Sequence, residues 1–138
     1  MKHWFLDTNV VMDFLADRQP FVQEADMLFR SGYAQRVRLY VASLSFSHIF
    51  YLLRRSHGTD AAWQLMIDLR RLVHVVAVDE PVIDQSLHTN LPDFEDALQH
   101  FAAASMPAIE VIVTRDPKGF RGGSLLILTP AEAVAQLA

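Results

Sequence analysis

Three groups of acidic residues stand where an apolar run gives way to a helix or a loop: Asp7 in FLDTNVVMDFL, Asp93, Glu95 and Asp96 in DFEDALQHFAAAS, and Asp116 in VTRDPKGF. Each has a plain explanation. Asp7, Thr8 or Asn9 can cap the helix that follows, Asp93 and Asp96 suit a helix N-terminus, and Asp116 before a proline is ordinary turn chemistry. A charge so near an apolar core is nonetheless costly unless something pairs with it. Carboxylates gathered in one place repel unless they are protonated or bridged by a cation. In a chain without cysteine, such hard oxygen donors point to Mg²⁺ or Mn²⁺.

Whether the acids meet depends on the elements that carry them. HWFLD (3–7) reads as a short buried strand, and Val10 to Ala16 as the helix after it. Pro20 opens a second helix with Phe21, Ala25, Leu28 and Phe29 at helical spacing and Gly32 as its stop. RLYVA (38–42) is a second strand, and Ser45 to His57 a third helix ending at Gly58. Thr59-Asp60 caps a fourth helix running through LRRL. VHVVAV (73–78) is β-branched and short, hence a strand, followed by a short helix after Glu80-Pro81. DFEDALQHFAAAS (93–105) is helical up to Pro107. IEVIVT (109–114) and LLILT (125–129) are the fourth and fifth strands, and a last helix follows Pro130. Strands that alternate with helices and are apolar throughout imply a mostly parallel sheet covered on both faces, an α/β fold of about five strands. Ligands of such sheets gather at the carboxyl ends of the strands, where the strand order reverses. Asp7, the start of the 93–105 helix and Asp116 would share that rim.

Composition bounds the rest. At 138 residues, with 51% apolar and 20% charged side chains, the chain is one globular domain with a single sizeable core. No second domain, linker or repeat is evident. The absence of cysteine excludes disulfides and thiolate chemistry. MKHWFLDTN lacks the apolar region of a signal peptide, and no apolar run approaches the roughly 20 residues that span a bilayer, so a soluble cytoplasmic protein is expected. The net charge of −4 does not advertise nucleic-acid binding, although acids gathered around cations would leave the remaining surface closer to neutral. Arg54-Arg55 and Arg70-Arg71 close helices, where cations suit the macrodipole.

LDTNVVMDFL, DFEDALQHFAAA and VTRDPKGF, in that order, resemble the PIN domain, the metal-dependent ribonuclease fold of VapC-type toxins in bacterial toxin–antitoxin pairs. The resemblance covers nearly the whole chain, including the final LLILTPAEAV, and implies a three-layer α/β/α sandwich over residues 1–138. It implies that Asp7, Asp96 and Asp116 are the catalytic and metal-binding acids. Asn9 or Thr8 would be the neighbour that orients Asp7, and Thr114 the usual hydroxyl. Asp93 is a further candidate ligand, since positions i and i+3 share a helix face, whereas Glu95 should point elsewhere. In ASLSFSHIFYLL the family usually carries a glutamate on the third helix where this chain has His48. That histidine is either a half-buried packing residue or an imidazole suited to Mn²⁺ more than to Mg²⁺.

The chemistry implied is hydrolysis of an RNA phosphodiester by a metal-activated water. There is no Ser-His-Asp order, G-x-S-x-G elbow or phosphate-cradling glycine loop to suggest another route. Arg115, Lys118 and Arg121 flank Asp116 and could hold single-stranded or looped RNA; a solvated loop is the equal alternative. Large residues are abundant early in the chain: Phe14, Phe21, Phe29, Phe46, Phe50, Tyr51, Leu52 and Leu53. Most belong to the core, and the surplus suggests a partner patch. The family resemblance implies a homodimer and a groove for a cognate antitoxin. Two other readings compete: a PIN-like module that binds RNA or protein without cutting, favoured by His48, and a phosphatase with Asp7 as nucleophile. The second lacks its general acid, because position 9 is Asn.

Overall fold

The structure, a computed structural model, describes residues 1–138. Five strands form one sheet: β1 (Lys2–Leu6), β2 (Val37–Ala42), β3 (His74–Val76), β4 (Val111–Val113) and β5 (Leu126–Leu128). Their order is β3-β2-β1-β4-β5, and all four pairings are parallel. Seven helices connect or follow them: α1 (Thr8–Leu15), α2 (Val22–Tyr33), α3 (Ser43–His57), α4 (Thr59–Leu72), α5 (Glu80–Leu87), α6 (Phe94–Ala104) and α7 (Pro130–Leu137). A 3₁₀ turn spans Pro117–Phe120. No helix is long and apolar enough to cross a membrane.

Successive strand residues point to opposite faces, so the uninterrupted apolar strands feed two cores. Trp4, Leu6, Leu39, Val41, Val111 and Val113 pack with α1, α2, α3, α4 and α7 in the larger one. Phe5, Tyr40, Ala42, Val76 and Ile112 pack beneath α5 and α6 in the smaller. The result is the three-layer α/β/α arrangement that the strand–helix alternation implies. Phe29 and Leu53 are buried and Phe14, Phe46, Phe50 and Leu52 partly so, while Phe21 and Tyr51 are exposed, as are Trp63 and Ile67 on α4.

Several expected boundaries shift for local reasons. Helix α1 begins at Thr8, directly after Asp7, so no residue separates β1 from the helix beyond that carboxylate. Gly32 does not stop α2, which runs to Tyr33. It allows close approach instead, since a Cβ there would lie 2.8 Å from Leu39 Cδ1 on β2. Thr59 and Asp60 do not cap α4: Gly58, at φ +84°, ends α3 and begins α4, and neither side chain makes a cap bond. This left-handed conformation suits glycine. The strand expected over 73–78 pairs only from His74 to Val76.

The chain lays down β1, β2 and β3 toward one edge and then returns to the other side of β1 for β4 and β5. The strand order therefore reverses between β1 and β4, which opens a crevice at their carboxyl ends. Here the backbone N–H of Asp7 donates to Val113 O at 3.0 Å, and that of Thr114 to Leu128 O at 2.9 Å. A buried ion pair locks this rim. Arg115, just past β4, donates through Nε to Asp13 Oδ2 at 2.6 Å and through a terminal nitrogen to Oδ1 at 3.2 Å, and its guanidinium lies 3.9 Å over the Phe21 ring. Asp13 is 1% exposed, so the pair ties α1 to the segment that carries Asp116. Arg115, expected beside nucleic acid, thus spends its fork on Asp13, a bidentate bond to a desolvated carboxylate. Removing Arg115 leaves the buried Asp13 carboxylate with only Arg18, whose Nη1 lies 3.9 Å away, beyond hydrogen-bond reach. Arg115→Met is expected to lower unfolding stability by about 3 kcal/mol in urea titrations, and the double variant Asp13→Leu/Arg115→Met by clearly less.

Candidate active site

Asp7 lies at the centre of the crevice and is 5% exposed. Its Oδ2 accepts from the Thr114 hydroxyl at 2.8 Å, and its Oδ1 accepts from Gln99 Nε2 at 3.0 Å. Burial raises its pKa above the ordinary value, while the bonds from Thr114 and Gln99, and more weakly the nearby peptide groups of Thr8 and Asn9, act against that rise. Gln99 is itself held, because its Oε1 accepts from the Thr8 backbone N–H at 3.2 Å. The Thr8 hydroxyl meets the Ser45 hydroxyl of α3 at 2.7 Å. Thr114 does double service, since its oxygen also accepts from the Asp116 N–H at 3.0 Å. The hydroxyl therefore links the first acid to the backbone of the last.

Helix α6 leads into a parallel strand, so it runs against the strands and starts at their carboxyl ends. Its first turn brings Asp96 to the rim. Asp93 caps the helix, with Oδ1 accepting from the Asp96 N–H at 2.9 Å. This is the plain role anticipated for it, and it engages one of the oxygens considered for a metal. Asp96 is pushed up to about 7, first by burial and then by the charges of Asp7, Asp93, Glu95 and Asp116. Gly119, in the 3₁₀ turn, makes room for this crowding. A Cβ there would come 2.1 Å from Asp96 Oδ2 and 3.8 Å from Asp116 Oδ2, so both carboxylates face the same glycine.

The acids from the three sequence segments thus share one crevice and one electrostatic field. As they stand, no three Asp, Glu or His side chains close around a single point as ligands of one ion do. The donor set still fits a divalent cation on its chemistry: the oxygens are hard, and a carboxyl raised by burial and then by four like charges is what a cation would relieve. Asp7, Asp96 and Asp116 are the residues that would hold it.

The His48 side chain is 45% exposed, and its Nδ1 lies 3.5 Å from Glu95 Oε1. Glu95 accordingly points to α3, although its charge is still felt at Asp96. Lys118 and Arg121 are exposed beside Asp116, and neither has a carboxylate partner. Asn9 is exposed and makes no side-chain bond to Asp7; Gln99 performs the orienting role instead. Gln99 and Ser45 are the site residues that sequence reasoning missed. For Gln99 a signal existed, because it lies three positions after Asp96 and so shares its helix face.

A parallel sheet with this strand order and an acid-lined crevice at its switch point is a doubly wound α/β fold. A profile of the PIN domain matches residues 3–118, and the chain belongs to that family. Among solved structures it is similar to VapBC2 from Rickettsia felis bound to a promoter DNA fragment, with TM-score 0.67, 12% identity, and 92% of this chain and 98% of the other covered. It is likewise similar to DNA-bound VapBC from Salmonella typhimurium, with TM-score 0.67, 17% identity and coverage of 94% and 99%. A third is VapC20 from Mycobacterium tuberculosis, a sarcin-ricin loop cleaving toxin, with TM-score 0.65, 18% identity and coverage of 88% and 96%. No curated protein is significantly similar in sequence.

The raised Asp96 gives a pH dependence whose sign is fixed. A carboxyl with a folded pKa of about 7 against an ordinary 3.8 binds its proton more tightly when folded, so its contribution is most favourable below the lower value and is lost as pH rises toward the upper. Without divalent ions, unfolding stability should fall between about pH 4 and about pH 7, and Asp96→Asn should flatten that slope. Urea titrations of both proteins across this window, with chelator present, measure it.

Proposed function

We propose that this protein is a metal-dependent endoribonuclease, the toxin of a toxin–antitoxin pair. The observation that supports this most directly is the crowding of Asp7, Asp93, Glu95 and Asp116 around an Asp96 held up to about 7, at the switch point of a PIN domain. Membership of that family and the likeness to VapC-type toxins add to it. Burial raises Asp96 first and its acidic neighbours add to that, and a cation at this edge would relieve both.

In this reading Asp7 is fixed in orientation by Thr114 and Gln99, and Asp96 and Asp116 complete the acidic edge. A divalent Mg²⁺ or Mn²⁺, when bound, supplies polarisation of the phosphate and acidification of a water. Lys118 and Arg121 hold the RNA phosphates that flank the scissile bond. Gly119 lets its turn close on Asp96 and Asp116 with no side chain between them. The His48–Glu95 pair sets the side wall between α3 and α6 and orients nothing at Asp7 itself. The partners in this reading are a cognate antitoxin, as in the toxin–antitoxin complexes that share the fold, and a second copy of the chain, with exposed Tyr51, Trp63 and Ile67 offering apolar area on the α3–α4 pair.

One observation favours a second reading, a PIN-like module that binds without cutting: both oxygens of Asp7 are already engaged by protein donors. A single assay separates the two. Labelled single-stranded RNA is incubated with wild type in Mn²⁺ or Mg²⁺, with Asp7→Asn and Asp116→Asn alongside. The nuclease reading expects cutting that chelator stops and that each variant lowers by about 10³-fold, the equivalent of several kcal/mol of metal-assisted catalysis. Gln99→Leu should lower it by about 10- to 100-fold, as removal of a ligand-orienting group does. Equal cutting by all the proteins would indicate a contaminant, and binding without cutting would favour the module.

A further inference from the structure

The end of the sheet opposite the acids carries the reverse charge. At the amino ends of β1, β2 and β3 lies a cleft of about 450 Å³, built where Arg38 on β2, Arg70 and Arg71 at the end of α4, and His74 on β3 come together with Tyr33 from the end of α2. No Asp or Glu lines it, although acids outnumber Lys and Arg by 16 to 12 in the whole chain. Arg38 and Arg71 are exposed and have no carboxylate partner. Arg70 spends one donor on Val73 O at 3.1 Å and keeps the rest of its fork. The floor is apolar, with Val37, Leu39 and Val73 buried beneath the guanidinium groups. Tyr33 stands at the wall and is 81% exposed.

Three cations held together without acids, over an apolar floor and beside a free aromatic face, recognise a ligand that is anionic at one end and flat and apolar at the other. Guanidinium forks match phosphate oxygens in a bidentate way, and an exposed tyrosine offers a stacking surface to a base. The cleft is far larger than one phosphate needs and falls within the range of small-molecule sites. We propose that this cleft binds a phosphate-bearing ligand of nucleotide size, with Arg38, Arg70 and Arg71 on the phosphates and Tyr33 against the base. The field in the cleft is consistent with this: after burial, it is Arg38 and Arg70 that push the His74 imidazole below its ordinary pKa. The site does not depend on the nuclease reading, since it lies at the far ends of the strands from Asp7.

Calorimetric titration of the full chain, in chelator and low salt so that no cation bridges nucleotides to the acids, tests it. The probes are adenosine 5′-diphosphate, adenosine, inorganic pyrophosphate and a 5′-phosphorylated tetranucleotide. Adenosine 5′-diphosphate should bind at least tenfold more tightly than either adenosine or pyrophosphate. Arg38→Gln/Arg71→Gln should weaken it at least tenfold, with unchanged circular dichroism, whereas Asp7→Asn should leave it unaltered. Tighter binding of the tetranucleotide than of the diphosphate identifies the source as a nucleic-acid end, and weaker binding a free nucleotide; both outcomes uphold the site. No binding of either phosphate-bearing nucleoside probe at millimolar concentration, equal binding of adenosine, or equal binding by the arginine double variant overturns it. If the double variant misfolds, Arg38→Gln and Arg71→Gln singly give the same readout at about half the effect in free energy.

Discussion

The molecule is organised around a carboxylate that must be buried and cannot be left alone. Asp7 is the one residue between the central strand and α1, so the fold has no means of turning it to solvent without unpicking β1. Two donors answer it, the Thr114 hydroxyl from the end of β4 and the Gln99 amide from α6. Each belongs to a different element, and each has a second obligation: Thr114 to the Asp116 backbone, Gln99 to the Thr8 backbone. A neutral pair of donors is a modest compensation for a desolvated charge, which is why burial still dominates at this residue. The site is thereby left with a standing preference for positive charge.

Around that core the rim is held by pieces that have little to do with ligands. The Asp13–Arg115 pair fixes the start of the segment bearing Asp116, and Gly119 brings that segment's turn against Asp96. The acids are thus positioned by a buried salt bridge, a cap and a missing side chain. This division explains the repulsion that Asp96 experiences: the backbone around it is set by contacts that do not involve its charge, so it cannot relax away from its neighbours.

The sequence conveyed the architecture well because strand and helix periodicities are local. Uninterrupted apolar runs such as IEVIVT have two faces, and both found a core. It conveyed boundaries less well where one residue serves two elements, as Gly58 does, since a capping motif at Thr59-Asp60 looks complete in isolation. The three acid segments were legible as sites of chemistry because carboxylates beside apolar strands are costly. What surrounds them was less so. Arg115 and Asp13 are separated by 102 positions, and nothing local distinguishes an arginine bound for a buried partner from one bound for solvent. The same limit hid the approach of His48 to Glu95 and the gathering of Arg38 with Arg70-Arg71, which depends on β2 and β3 being neighbours.

Gly58 has a consequence for how the molecule meets other surfaces. Because it closes one helix and opens the next, a single residue joins α3 to α4, and the two helices pack side by side as one bracket against the sheet. Tyr51, Trp63 and Ile67 ride on that bracket. Whatever covers them encounters a relief already set in shape, so association there would forfeit little freedom of the chain itself.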